Sequence, residues 1–204
     1  MGGDLVLKTD SNGMYLHHTN YRDTLGIPAY PTATLDIYMW DATTSSWLQL
    51  VVAYPMPQVS PSGTLLTGVP YGVEVYNYDT PPGMLDSTLF SSGSGTYRCV
   101  VYDCCRNAII GNMTSPSGES LVLSCEFNYD ATGTVLDQTP EFLNIPVIYG
   151  PINSAWAYNP LPYDADGDSL SWEIYTPIGG VVAGNLISCA GYTLPPATAT
   201  GGLT

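Results

Sequence analysis

Apolar residues along this chain do not recur at helical spacing. No window of a dozen residues holds such a pattern without a Gly or Pro interrupting it. Strand signals recur instead. Residues 4–9, 14–21, 33–40, 47–54, 73–78, 96–102 and 120–128 each carry β-branched or aromatic side chains and are bounded by Gly, Pro, Asn or Ser. Leu35, Ile37 and Met39 alternate with Asp36 and Tyr38, which predicts one buried and one wetter face. Trp40 and Trp47 flank the polar link 41–46, a hairpin connection of ordinary length.

The strand series breaks near residues 137–145. Polar residues 130–137 end one run, and Thr139-Pro140-Glu141-Phe142 opens another, continued by 147–149, 155–158, 169–175 and 181–189. The expected fold class is therefore all-β: a β-sandwich domain over residues 1–138, followed over 139–204 by a partial immunoglobulin- or cadherin-like β-sandwich. About 65 residues remain for that second domain, short of the roughly 100 such a fold uses. A sandwich short of strands leaves an unpaired edge. Residues beyond Thr204 are expected to complete it, or else a strand donated by another copy. Residues 4–9, with Leu5 and Leu7 alternating with Val6 and Lys8, are the candidate donor.

Composition narrows the partners. Across 204 residues, 18 Asp and Glu stand against 4 Lys and Arg, a formal charge of −14. That balance disfavours nucleic acid and anionic membranes, which attract clustered basic residues, and suits a salty, cation-rich medium. The 21 Gly, 17 Pro and 16 Tyr, against 3 Phe, describe a loop-rich β protein with amphipathic aromatics. Five cysteines hint at an oxidising compartment. Nothing approaches a membrane-spanning length, so no membrane insertion is expected. The opening Met1-Gly2-Gly3-Asp4 lacks the basic start and apolar run of a signal peptide and is read as the start of a mature chain with an added Met.

Candidate chemistry is concentrated at residues 164–170, Asp-Ala-Asp-Gly-Asp-Ser-Leu. Alternation places Asp164, Asp166 and Asp168 so that they can converge on Ca²⁺, a hard cation that takes several oxygen ligands, with Glu141 as the extra carboxylate. Gly167 supplies the permissive backbone of a sharp turn. The alternative is a plain acidic hairpin turn at Asp166-Gly167 between residues 155–158 and 169–175. Arg22 and Arg106 are expected to anchor loops through Asp23, Asp103 or backbone carbonyls. His17, His18, Cys104 and Cys105 offer zinc-ligand chemistry, but adjacent strand residues point to opposite faces and the spacing matches no zinc module. There is no Gly-x-Ser-x-Gly elbow and no Cys–His setting, so no enzyme is expected. Trp40, Trp47 and Trp156, if exposed, offer rings for stacking on sugars.

Two further motifs carry a resemblance. Asn20-Tyr21-Arg22-Asp23 is followed by Gly26-Ile27-Pro28, and later by Asp103-Cys104-Cys105-Arg106-Asn107-Ala108-Ile109. With residues 139–146 and the acidic loop, this order resembles the N-terminal region of large secreted surface proteins of Bacteroidota. Those proteins often carry immunoglobulin- or cadherin-like repeats and a C-terminal sorting or gliding-associated domain. The resemblance implies a secreted, extracellular, cell-surface location and a structural or adhesive role, with other surface-protein domains or copies of itself as partners, and brings no catalytic residues. One departure is Thr24, where family members often have Cys, so a disulfide from that position cannot form. Cys99 and Cys125 lie in strands flanking the Cys-Cys turn and are expected to bridge. Cys104 and Cys105 are left open between bridging each other, pairing elsewhere and remaining thiols. The expected function is a non-enzymatic structural or adhesion module of a bacterial surface protein or filament, stabilised by calcium. The alternative is a carbohydrate-binding module of a secreted polysaccharide-degrading protein, which brings glycans in as partners.

Overall fold

Seven antiparallel strands form one sheet, in the order β1-β2-β5-β4-β3-β6-β7. They are β1 (Gly2–Asp10), β2 (Gly13–Asp23), β3 (Thr32–Asp41), β4 (Ser46–Leu65), β5 (Val73–Asp79), β6 (Gly95–Asp103) and β7 (Leu121–Tyr129). The computed structural model describes residues 2–85, 89–130, 132, 138–147, 158–171 and 173–193. The protein is all-β, and all seven strands expected in the first domain are present.

The sheet doubles over at β4. Its first part, from Ser46 to Pro57, pairs with β3, and its second, from Gln58 to Leu65, pairs with β5. Three prolines, Pro55, Pro57 and Pro61, sit in this strand, where bends and bulges tolerate a missing donor. A bulge helps the strand turn. Leu35 pairs with Tyr54 and Ile37 with Val51, so Val52 and Ala53 oppose Asp36 alone. Ala53 takes a φ of +49°. Its N–H, displaced from the ladder, donates to Asp36 Oδ1 at 2.7 Å, while Tyr38 donates to Oδ2 at 3.2 Å. A buried aspartate thus satisfies the donor the bulge frees.

Doubling over brings alternate residues of both halves into one core. Leu5, Leu7 and Leu16 face Leu35, Ile37, Tyr97 and Phe127. Phe90, from a short 3₁₀ turn, plugs one end with ring centroids 4.7 Å from Tyr97 and 4.4 Å from Tyr129. Each such side chain contributes about 1.5–3 kcal/mol by leaving water.

The described part of residues 139–204 departs from the expected second sandwich. It forms two small ladders, β8 (Glu141–Phe142) with β9 (Pro162–Tyr163) and β10 (Ile178–Val182) with β11 (Asn185–Ser188). Both lie against the first sheet. Leu7 N donates to Thr139 Oγ1 at 2.7 Å, and Lys8 Nζ reaches Glu141 Oε2 at 2.5 Å. Ile178, Val181 and Leu186 cover Tyr38, Val100 and Val122 on the sheet's outer face. The expected strand 181–189 is a hairpin, turned at Ala183-Gly184 with φ values of +47° and +76°, the pair of positive values a two-residue hairpin turn demands. The described part of 169–175 is not strand, and 148–149 and 155–157 lie outside the described residues. Residues 4–9 are no free donor: they pair with β2 from Asp4↔Thr19 to Thr9↔Met14, with Leu5 and Leu7 in the core. No helix among the described residues is long and apolar enough to cross a membrane.

Arg98 fastens the hairpin. Its guanidinium lies 3.9 Å over the Trp47 ring, pairs with Glu126 at 2.6 Å and donates to Gly184 O at 2.5 Å. Gly184 lies so close to Trp47 and Tyr38 that any Cβ there collides. Arg98→Ala is expected to lower stability by about 1–3 kcal/mol through lost cation–π and charge-assisted contacts. It should also open residues 178–188 to limited proteolysis, read by mass spectrometry; an uncut hairpin overturns this.

Candidate functional site

The interior of the sandwich changes character along β2. Leu16, His18, Asn20 and Arg22 follow one another on its core-facing side and are all buried. Across the ladder His18 faces Tyr78, Asn20 faces Tyr76 and Arg22 faces Glu74. The core is apolar at Leu16 and ionic at Arg22.

Each polar group has an assignable partner but one. Arg22 pairs with Glu74 at 2.5 Å, donates to Gly26 O at 2.6 Å and also to Ile27 O. This fixes the loop that carries the exposed Leu25 and Ile27. The His18 ring stacks on Tyr78 with centroids 5.4 Å apart, and its Nδ1 lies 2.8 Å from Asp4 O. Burial pushes its pKa down to about 4, so the ring is neutral at pH 7 and donates through Nδ1–H. Asn20 lies near the Asp103 carboxylate, while Asn20 Oδ1 is buried without a partner among the described residues. Burial raises the Asp103 pKa, opposed by hydrogen bonds from the Cys104 backbone and Asn20. Between the sheets here lies a cleft of about 510 Å³, with His18, Asn20 and Tyr78 on one side and Ala33, Val101 and Asp103 on the other.

A second polar group occupies the outer face of β2. Asp79 Oδ1 lies 2.6 Å from His17 Nδ1, and His17 Nε2 lies 3.2 Å from Thr19 Oγ1. Carboxylate, imidazole and hydroxyl follow the order of a hydrolase triad. Thr19 is only 8% exposed, and its hydroxyl also donates to Asn77 Oδ1 at 3.3 Å, which leaves it little room to meet a substrate. His17 and His18 point to opposite faces, as strand geometry requires.

The acidic loop is built differently from the expected cation site. Asp164 Oδ1 accepts from the backbone of Asp166 at 2.9 Å and of Asp168 at 3.2 Å. Asp166 accepts from Gln138 N at 2.5 Å, and Gly167 takes a φ of +83°. Glu141 is held by Lys8. The four carboxylates therefore do not converge, and among the described residues no three His, Cys, Asp or Glu side chains are grouped to hold a metal.

The expected cysteine pair is brought together: Cys99 sits directly opposite Cys125 on β6 and β7. Both are thiols in this structure, in place of the expected disulfide. Burial and the neighbouring Cys125 push the Cys99 thiol well above its ordinary pKa. The disulfide present joins Cys104 to Cys105, beside the cleft, and Cys189 is a buried thiol. Both loop-anchoring arginines do anchor loops, through backbone carbonyls, one of the expected alternatives, and not through Asp23 or Asp103. Arg22 takes Glu74, while Asp23 accepts from Leu25 N at 2.8 Å. Arg106 donates to Ser120 O at 3.1 Å and Ile178 O at 2.8 Å, and the half-buried Asp103 instead meets Asn20. Trp40 and Trp47 face each other across β3 and β4 at 5.3 Å and 67°, edge to face and not as a flat platform. Trp156 lies outside the described residues. The cleft was missed because His18, Asn20 and Asp103 stand apart in sequence. The available signal was that polar residues continue β2's inward-facing alternation.

His18 generates a pH prediction. Its pKa falls from 6.5 in the unfolded chain to about 4 when folded, so the unfolded state binds the extra proton in between. This stability is full above about pH 6.5 and is lost as pH falls towards 4, by about 3 kcal/mol in total. Asp4 and Asp103, with raised values, act in the opposite direction at acid pH, so the comparison is made against His18→Gln. Urea midpoints from pH 7 to 4 should fall more steeply in the parent chain; parallel curves overturn the assignment.

No family model, curated protein or solved structure matches this chain.

Proposed function

We propose that this chain is a non-catalytic β-sandwich module of an extracellular bacterial surface protein, acting through structure and adhesion. One observation carries the reading: the scarce cations, and the tryptophan beneath Arg98, join distant segments of the chain itself. Arg98 and Arg106 reach the β10–β11 hairpin, and Lys8 reaches Glu141. Such cross-ties suit a module that must keep its shape under load. The vicinal disulfide, the facing Cys99 and Cys125, and the charge of −14 suit an oxidising, ion-rich exterior. The resemblance to Bacteroidota surface proteins points the same way. Other domains of such a protein, or further copies of the chain, are the partners proposed.

Carbohydrate binding is the second reading, favoured by Trp40, which is 37% exposed. The edge-to-face arrangement with Trp47, itself covered by Arg98, weighs against a stacking platform.

Purified protein displayed on beads, tested against bacterial cells, mucin and a glycan array, separates the two. Retention or self-association that survives Trp40→Ala is expected. Glycan binding lost in that variant transfers the function to carbohydrate recognition. Turnover of a glycan overturns both readings.

The compartment has its own test. Protein recovered from an oxidising secretory route should show a Cys99–Cys125 bridge by non-reducing peptide mapping. Closing a loop of roughly 25 residues stabilises by about 3 kcal/mol on a chain-entropy estimate. Two alkylatable thiols at these positions remove the support for an extracellular site.

A further inference from the structure

The cleft at the polar end of the sandwich presents acceptors. Asn20 is 6% exposed, its Oδ1 is buried without a partner among the described residues, and its side chain is near enough to the Asp103 carboxylate to hold that group's pKa down. His18 gives its one N–H to Asp4 O, so Nε2 carries a lone pair. Asp103 adds a half-buried carboxylate. No Lys or Arg lines the cleft, whereas the rings of Tyr30, Tyr78 and Tyr102 do. The chain's four cations are engaged elsewhere: Lys8 with Glu141, Arg22 with Glu74, Arg98 with Glu126, and Arg106 with the carbonyls of Ser120 and Ile178.

A site of acceptors and aromatic faces selects its ligand by chemistry. The Thr32 and Thr34 hydroxyls on its wall can donate as well as accept, so charge, and not a want of donors, is what distinguishes the ligand. An ammonium or guanidinium only donates, forms strong charge-assisted bonds to a carboxylate, and is attracted to aromatic faces. A volume of about 510 Å³ suits a small molecule, and a net charge of −14 concentrates cations at the mouth. We propose that this cleft binds a small organic cation, seating an ammonium or guanidinium group against the Asp103 carboxylate and the tyrosine rings. The neutral His18 ring beside it adds no opposing charge. This site goes beyond the adhesion reading and does not depend on it.

The test titrates n-butylamine and agmatine into the full ¹⁵N-labelled chain at about 0.15 M NaCl, where surface attraction is screened, with 1-butanol as the uncharged counterpart. Saturable shifts are expected at the Asn20 side-chain amide and at the Val101 and Asp103 backbone, with no response to 1-butanol. Asp103→Asn should weaken binding at least about tenfold. Asp41→Asn, which alters an exposed carboxylate in the β3–β4 turn, should leave it unchanged. If Asp103→Asn does not fold, the location of the shifts in the parent chain decides alone. Shifts scattered over surface carboxylates without saturation, equal affinity in Asp103→Asn, equal binding of 1-butanol, or no shifts at all each overturn the proposal.

Discussion

One strand of 20 residues, β4, belongs to both halves of the sandwich, and the rest of the architecture follows from that sharing. A strand that changes partners midway must bend, and bending frees backbone donors that cannot stay unpaired in a core. Asp36 meets the need at the β3 side. On the β5 side the register shifts between Val59 and Thr64, and Ser62 Oγ accepts from Asn77 N at 3.3 Å. These side-chain-to-backbone bonds allow the two halves to face each other and bury a single core.

Closure leaves the outer faces to be managed. A sheet whose outward side chains include Tyr38, Val100 and Val122 cannot leave them wet without exposing an apolar patch. The chain after residue 138 supplies part of the cover, and its small ladders gain from the first sandwich the burial they cannot provide for themselves. Arginine is suited to the fastening because its planar fork serves several acceptors at once. Arg98 combines a ring, a carboxylate and a carbonyl, and Arg106 joins two carbonyls contributed by segments far apart in sequence.

The same closure explains the cleft. Where core-facing positions remain apolar, the sheets meet around Phe90, Tyr97 and Tyr129. Where β2 continues inward as His18, Asn20 and Arg22, each group requires hydrogen-bond partners. Arg22 finds them in Glu74 and a loop; Asn20 Oδ1 finds none among the described residues. The interior is therefore well filled at one end and chemically unsatisfied at the other.

The strands were legible because a period of two, with Gly and Pro punctuation, is a local property of the backbone and its side-chain directions. Six of the first seven were read close to their observed bounds, whereas the fourth, read as 47–54, runs on through its prolines to Leu65; the acidity and cysteine content needed only counting. Arg22 and Arg106 were legible as loop anchors because so few cations in so acidic a chain must be engaged. Backbone carbonyls were legible as a kind of partner, but Glu74 and Ile178 in particular were not, because they meet the arginines only through strand pairing and hairpin docking. Cys99 opposite Cys125 was readable from two neighbouring strands, whereas their thiol state is not a property of register. The segment after residue 138 shows the opposite limit: its strand-like composition is local, but whether short ladders build their own core or rest on another depends on which apolar faces the folded sheet leaves uncovered. Sequence by itself determined the first seven strands in outline and the charge; the face of β3 read as wetter, with Asp36 and Tyr38, is buried by the bulge and the docked hairpin. The fold-over at β4, the docked hairpin and the polar cleft were decided by tertiary structure, because each arises from contacts between residues far apart in the chain.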